Sequence, residues 1–214
     1  MKIKQLRFSG SVIPDNSFSF HDHINLIYGE NGSGKSLVCS AILDSFLPAV
    51  SNKKESSIPG KSWQIDYSIK NEICTVCINN GKIDQSRTLK KYASINIDSS
   101  ESNNIILGYG RSRLNGDIKL PSSVRTFYGI LSDLHKKKTK DSVVIIDDFD
   151  LGISEKNSKD LLSHIYKNYS SRNCQIIVSS SSVFMKKIVQ DIGGKVIELD
   201  TIGNVLESAI KSLH

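Results

Sequence analysis

A glycine-rich loop that ends in lysine and serine constrains this chain more than any other feature. Residues 29–36 have the sequence GENGSGKS and match the phosphate-binding pattern G-x-x-x-x-G-K-[ST] at every fixed position. The apolar run at residues 24–28 predicts a buried strand before the loop, and residues 37–47 predict a helix after it. Such a loop surrounds a polyphosphate with backbone N–H groups and a helix N-terminus. We expect Lys35 to bridge the β- and γ-phosphates and the Ser36 hydroxyl to hold Mg²⁺.

Strands and helices alternate from residue 122 onward. Strands are predicted at residues 143–146, 175–178 and 195–199. Helices are predicted at residues 122–134, 155–169 and 183–192, the second begun by Ser154 and the third ended by Gly193 and Gly194. Runs of β-branched residues are typical of strands buried on both faces, and strands that alternate with helices form parallel sheets. We therefore expect an α/β fold with a mostly parallel core sheet flanked by helices.

The middle of the chain, from about residue 52 to residue 104, has the pattern of a different kind of sheet. Residues 63–69 and 73–79 alternate between apolar and polar side chains, which predicts antiparallel strands. Asn80 and Gly81 favour a tight hairpin turn, after which residues 83–89 are expected to return. We interpret this region as an antiparallel β insertion within the parallel sheet.

The remaining segments fit one domain that spans residues 1–214. Residues 2–9 alternate in a strand-like way, and residues 17–20 are expected to pair with them. Residues 105–109 predict another short strand. A chain of 214 residues is long enough for one full hydrophobic core.

Composition limits the location and the partners. No apolar run is long enough to span a bilayer, and the N-terminus lacks the apolar core of a signal peptide, so we expect a cytoplasmic protein without a membrane partner. The net charge of +6 is compatible with nucleic acid without showing that it binds. The densest basic run, at residues 136–140, fits either a solvated helix end or a contact with a phosphate backbone.

The four cysteines do not predict a metal site. Cys74 and Cys77 form a C-x-x-C, but no second pair or nearby histidine completes a zinc site. In an extended strand their side chains point to opposite faces. Reduced thiols in the core or at the surface are the expected outcome.

A second chemical motif follows the strand predicted at residues 143–146. Asp147 and Asp148 come directly after this apolar run, as in a Walker B pattern. We expect Asp147 to hold Mg²⁺, directly or through water, and Asp148 to orient or deprotonate the attacking water. The alternative for Asp148 is a solvated carboxylate at a strand end.

Three segments together resemble the ABC-type ATPase heads of the SMC, RecF and OLD proteins. They are residues 1–8, residues 24–36 and residues 147–153. The resemblance implies a P-loop NTPase fold of the ABC ATPase type, with ATP and Mg²⁺ as ligands. It also implies that the phosphates are bound by Asn31, Gly32, Ser33, Gly34, Lys35, Ser36 and Leu37. Such heads pair with two ATP molecules between them, so a homodimer or a heterodimer is expected.

The resemblance also marks three departures. Ser122 matches the signature serine that would meet the ATP of the opposite subunit, but Ser123 stands where glycine is usual, and a simple helix cap is the alternative. Asp148 replaces the common glutamate, and Ser181 stands in the place of a histidine that contacts the γ-phosphate. If the last two changes each cost about 2 to 3 kcal/mol in the transition state, turnover falls by a few orders of magnitude.

Two smaller questions stay open at the level of sequence. Gln64 and Gln85 are both candidates for the glutamine that senses Mg²⁺ in the family, and the sequence does not choose between them. Arg111 or Arg113, which follow glycines, is a candidate for contact with phosphate or with a partner.

The function expected from these residues is a slow Mg-ATP-dependent ATPase that acts as a switch or motor subunit. The chain shows no extended heptad run and no effector segment, so we expect a partner effector protein, with DNA as a possible partner. Analogy with small isolated heads suggests a role in defence or DNA maintenance. The alternatives are a non-hydrolysing nucleotide-binding interaction module and, less favoured, the ATPase subunit of a transporter.

Overall fold

The computed structural model describes residues 1–9, 17–45, 62–69, 71–84, 87, 106–109, 141–150 and 153–199. Within these ranges, ten strands form two five-stranded sheets, and three helices accompany them. The strands are β1 (Lys2–Ser9), β2 (Ser17–Ser19), β3 (Ile24–Tyr28), β4 (Ser62–Ile69), β5 (Glu72–Asn79), β6 (Lys82–Ile83), β7 (Ile106–Tyr109), β8 (Val143–Ile146), β9 (Gln175–Ser180) and β10 (Lys195–Glu198). The helices are α1 (Lys35–Asp44), α2 (Glu155–Ser170) and α3 (Val183–Asp191).

The core sheet is parallel throughout its described strands. Its order is β10-β3-β9-β8-β7, so β9 lies between the strand that precedes the glycine loop and the strand that precedes the paired aspartates. All four residues of β8 are buried, with Val143 and Ile145 facing the core that contains α1. Val144 and Ile146 face the core formed with α2 and α3. This parallel sheet with helices on both faces confirms the α/β fold predicted from sequence.

The antiparallel strands predicted in the middle of the chain are confirmed, and they form a sheet of their own, separate from the parallel core sheet. The order β2-β1-β4-β5-β6 shows that these strands pair with β1, at the start of the chain. Leu6 and Phe8 of β1 and Trp63 and Ile65 of β4 are buried in the core against α1, whereas the side chains between them are half-buried or exposed. One apolar face packed on a core and one more exposed face are usual for an antiparallel sheet.

The hairpin between β5 and the return strand has the predicted turn. Asn80 and Gly81 both have positive φ, 48° and 77°, which is the conformation of a tight two-residue hairpin loop. The described return strand, β6, is shorter than predicted and contains Lys82 and Ile83. The pairing of β1 with β2 is confirmed and is antiparallel.

Helix ends follow the capping signals in the sequence. Ser154 caps α2, where its hydroxyl accepts from the Asn157 N–H at 3.4 Å, as predicted. Helix α1 begins at Lys35, two residues before the predicted start, because Gly34 takes a left-handed conformation (φ 95°) and starts the helix directly after the loop. The helix predicted at residues 122–134 and the basic run at residues 136–140 lie outside the described residues. No helix in the described part of the chain is both long and apolar enough to cross a membrane.

A buried glutamine at the start of β9 ties the two sheets together. The Gln175 side chain accepts from the Ile3 N–H at 2.7 Å and donates to the carbonyls of Ile3 and His21 at 2.9 and 2.8 Å. Gln175 is completely buried. Two of these bonds reach Ile3 of β1, next to a register irregularity between Ile3 and Gln5. They give hydrogen-bond partners to backbone groups of the antiparallel sheet.

Replacing this amide should destabilise the whole protein. We expect Gln175→Ala to lower the free energy of unfolding by about 2 to 4 kcal/mol. The substitution removes the hydrogen bonds to the backbone of Ile3 and His21 and leaves these backbone groups without their side-chain partner. Gln190→Ala, at an exposed position of α3, is the matched control and should change it by less than about 0.5 kcal/mol. Urea unfolding followed by circular dichroism measures both. Equal unfolding midpoints for the two variants would contradict the role of Gln175.

Candidate functional site

The glycine loop wraps around the Lys35 side chain. Gly32 and Gly34 have φ of 87° and 95°, a region that residues with a Cβ rarely adopt. The Lys35 ammonium is buried to 5% exposure, and it donates to the carbonyls of Gly29 and Glu30, both at 2.9 Å. The loop therefore places a cation at its centre.

Three further observations fit this loop to a polyphosphate. No side chain caps the N-terminus of α1, and its first turn contains no acidic residue, so its N–H groups and dipole are available to an anion. The Ser33 hydroxyl is buried without a hydrogen-bond partner inside the loop. A Cβ at Gly29 would lie 2.5 Å from the Ser33 hydroxyl oxygen and 3.1 Å from the Leu199 carbonyl, so the loop closes tightly only with glycine there.

The end of β9 bonds to both motif-bearing loops. Tyr28 at the end of β3 is in register with Ser180, and the Gly29 N–H donates to the Ser180 carbonyl at 3.4 Å. On the other side of β9, the Phe149 N–H donates to the Ser179 carbonyl at 2.9 Å. Because parallel strands end at the same edge of a sheet, the glycine loop and the paired aspartates emerge together, with β9 between them.

Ser179 connects to both aspartates through its hydroxyl. The hydroxyl donates to Asp147 Oδ1 at 2.5 Å and accepts from the Asp148 N–H at 2.8 Å. Asp148 has a φ of 49°, in the left-handed region that aspartate and asparagine tolerate better than most residues. Ser179 itself is completely buried, and the two aspartates are half-buried.

Cys39 of α1 packs against the same carboxylate. Burial, followed by the negative charge of Asp147 and a hydrogen bond to it, raises the pKa of the Cys39 thiol well above its usual value. The raised pKa keeps the thiol protonated. Cys39 follows Lys35 by one helical turn, so both residues lie on the same side of α1.

The other predicted site residues are distributed as follows. Asn31, Gly32 and Ser36 are exposed at the rim of the loop, whereas Leu37 is half-buried. Ser181 is the first residue after β9, and it is exposed. It lies between Ser180, whose carbonyl accepts from the glycine loop, and Ser182, whose hydroxyl caps α3. Outside the described residues lie Ser122, Gln85, Arg111 and Arg113.

Gln64 lies in the antiparallel sheet. Its amide donates to the Asp66 carboxylate at 3.1 Å. The residue lines a polar cleft of about 510 Å³ on the outer face of this sheet, together with Arg7, Asp84 and Arg87. Residues of the glycine loop do not line this cleft.

The two cysteines of the C-x-x-C face opposite sides of β5, as predicted. Cys74 packs in the core beneath the sheet, and Cys77 lines the outer cleft, where its thiol lies 3.8 Å from the Arg87 carbonyl. Neither cysteine forms a disulfide with another cysteine of the described residues. Across the described ranges, no group of three or more His, Cys, Asp or Glu side chains is arranged to hold a metal ion.

Sequence reasoning missed Ser179 and Cys39. A serine in an otherwise apolar strand, at the edge where both motifs end, was the available signal for Ser179. Cys39 follows Lys35 by four residues, so its position on the phosphate-facing side of α1 was also available from helical spacing. Neither signal identifies the partner, because the bonds to Asp147 depend on how the strands are ordered.

Comparison with known proteins gives one family match. A family model described as an AAA domain matches residues 9–205. No curated protein matches the chain. With the glycine loop and the sheet order, the family match confirms the α/β P-loop NTPase fold expected from sequence.

Solved structures of ATP-binding cassettes are also similar to this chain. The ATP-binding cassette MJ0796, a dimer in a post-hydrolysis state with ADP and Pi, is 10% identical with a TM-score of 0.42, covering 92% of this chain and 93% of that one. A nucleotide-free ATP-binding cassette from an ABC transporter is 12% identical with a TM-score of 0.44, covering 93% and 88%. The cassette cbiO1 from Clostridium perfringens, part of the transporter complex cbiONQ, is 13% identical with a TM-score of 0.40, covering 85% and 78%.

The tight closure of the loop at Gly29 gives a testable prediction. Gly29→Ala should weaken binding of ATP at least about tenfold, because the added Cβ meets the Ser33 hydroxyl at 2.5 Å and must displace the loop. Gly193→Ala is the control, since its Cβ meets nothing within 4 Å and only its positive φ is strained. Calorimetric titration with ATP compares the two. Equal affinities would show that the loop accommodates a side chain at Gly29.

Proposed function

The chain belongs to the AAA domain family, and from this premise we propose that it is an ABC-type ATPase that binds Mg-ATP, dimerises on it and hydrolyses it slowly. The observation that carries the proposal is the junction at the end of β9. There one strand bonds to the glycine loop through Ser180 and to Asp147 and Asp148 through Ser179. A phosphate-binding loop and a half-buried, hydrogen-bonded acidic pair at one sheet edge support phosphoryl transfer to water.

The glycine loop, Lys35, Ser36 and Asp147 would together hold Mg-ATP. Backbone N–H groups of residues 31–37 and the Lys35 ammonium bind the phosphates, exchanging the carbonyls of Gly29 and Glu30 for phosphate oxygens. Ser36 and Asp147 are the protein ligands of Mg²⁺. A metal held by one hydroxyl and one carboxylate, with phosphates and water, is usual for Mg²⁺. When bound, Mg²⁺ neutralises charge on the phosphate oxygens.

Asp148 is the residue that orients the attacking water. Its carboxylate is one methylene shorter than glutamate, and its backbone conformation, φ 49°, is held by the Ser179 hydroxyl. Ser181 donates a hydrogen bond to phosphate but supplies no positive charge. These two features support slow turnover.

The proposed dimer uses the exposed rim of the glycine loop. Exposed Asn31, Gly32 and Ser36 leave the rim of the loop open to a second subunit, whose Ser122 would complete the site. Either a homodimer or a heterodimer satisfies this arrangement. We propose that the ATP-dependent dimer acts as a switch or motor subunit for a partner effector protein or for DNA, in a defence or DNA-maintenance system.

A non-hydrolysing nucleotide-binding module is the second candidate. The exposed Ser181 in the histidine position favours it, because an uncharged side chain stabilises a developing negative charge less than a cation does. This candidate keeps the ATP-dependent dimer and lacks only the turnover.

Hydrolysis assays separate the two candidates. Lys35→Ala should lose ATP binding, whereas Asp148→Asn should bind ATP within about twofold of wild type and lower kcat about 100-fold or more. Asparagine tolerates the left-handed conformation of Asp148, so the backbone is preserved. Asp160→Asn, at an exposed position of α2, is the control for a lost carboxylate. Wild-type hydrolysis no faster than that of Lys35→Ala would leave only the non-hydrolysing module.

Light scattering tests the dimer directly. Asp148→Asn should double its mass on addition of Mg-ATP, because bound ATP persists between two subunits when hydrolysis is blocked. Lys35→Ala should keep the mass of its nucleotide-free form under the same conditions. An unchanged mass for Asp148→Asn with ATP demonstrably bound would overturn an ATP-dependent homodimer.

A further inference from the structure

We propose that Ser179 is a positioning residue that sets the metal affinity of the nucleotide site by fixing the orientation of the Asp147 carboxylate. This inference rests on the proposed function, because it assigns Asp147 as the Mg²⁺ ligand. It adds a residue that lies on neither the glycine loop nor the acidic motif.

The two hydrogen bonds of Ser179 determine how its hydroxyl is oriented. A serine hydroxyl has one proton to donate, and here that proton goes to Asp147 Oδ1 at 2.5 Å. The oxygen accepts from the Asp148 N–H at 2.8 Å, which prevents the opposite arrangement in which the hydroxyl donates toward Asp148. Ser179 itself is completely buried, whereas Asp147 and Asp148 are half-buried.

The position of Asp147 makes this restraint consequential. Asp147 is the first residue after β8, and Asp148 already has a left-handed backbone. The regular backbone pairing of the sheet therefore ends before Asp147. The Ser179 hydroxyl donates a hydrogen bond to this carboxylate from a buried position on a central strand. Ser179 therefore restrains the orientation of the carboxylate.

Groups that hold a metal-binding carboxylate tune its affinity for the metal. Losing such a partner lowers metal affinity about 10- to 100-fold in other metal sites. The hydrogen bonds of the Ser179 hydroxyl go to the acidic motif, so metal-free binding of ATP should not depend on the hydroxyl. The inference thus separates metal affinity from nucleotide affinity.

The test compares Ser179→Ala, Ser179→Thr and Ser179→Cys with wild type. Mn²⁺ replaces Mg²⁺ as the probe, and electron paramagnetic resonance measures its binding in the presence of a non-hydrolysable ATP analogue. Affinity for the same analogue in EDTA is measured by calorimetry. Ser158→Ala is the matched control, because Ser158 is a buried serine on α2 whose hydroxyl has no hydrogen-bond partner among the described residues.

We expect Ser179→Ala to bind Mn²⁺ about 10- to 100-fold more weakly than wild type, with analogue affinity in EDTA within about twofold. Ser179→Thr should restore Mn²⁺ affinity to within about threefold of wild type, since it keeps the hydroxyl. Ser179→Cys, which keeps size and a weak donor, should fall between wild type and alanine and provides the comparison if the alanine variant does not fold. Ser158→Ala should match wild type.

Two results would overturn the inference. Mn²⁺ affinity of Ser179→Ala, or of Ser179→Cys, within about twofold of wild type would show that the hydroxyl does not set metal affinity. An equal loss of analogue affinity in EDTA would show a general structural role instead. Failure of the proposed function has a different signature, since wild type itself would then bind neither the analogue nor Mn²⁺.

Discussion

The structure depends on polar groups buried at the carboxyl end of a central strand. All six residues of β9 are buried between β3 and β8, and buried polar groups need hydrogen-bond partners. The hydroxyl of Ser179 finds them in Asp147 and Asp148, and the carbonyl of Ser180 finds one in the glycine loop. The hydrogen bonds that these polar groups of β9 require therefore also bring the two chemical motifs to the same end of the strand.

The opposite end of β9 couples the site to the rest of the molecule. Gln175 binds the backbone of Ile3 and His21, so the same strand that organises the site also attaches the antiparallel sheet. The face of this sheet that carries Trp63 packs against α1, the helix that begins with Lys35. Stability and site geometry thus share one strand and one helix.

Features predicted well from sequence are local ones. The glycine loop, the hairpin at Asn80 and Gly81 and the Ser154 cap each depend on a few adjacent residues, whose preferred conformations are known. The features that sequence reasoning missed join distant parts of the chain. Ser179 is 32 residues from Asp147, and Gln175 is 172 residues from Ile3. Alternation predicted the antiparallel strands but not their pairing with β1, because it shows that one face is buried without showing which neighbour buries it.

A crystal structure with a non-hydrolysable ATP analogue and Mn²⁺ tests the central claim most directly, because Mn²⁺ is located by its anomalous signal. The account predicts the triphosphate on residues 29–36, the Lys35 ammonium moved from the loop carbonyls to the phosphates, and the metal between the Ser36 hydroxyl and the Asp147 carboxylate. A nucleotide bound elsewhere, or a metal that does not contact Asp147, would contradict it.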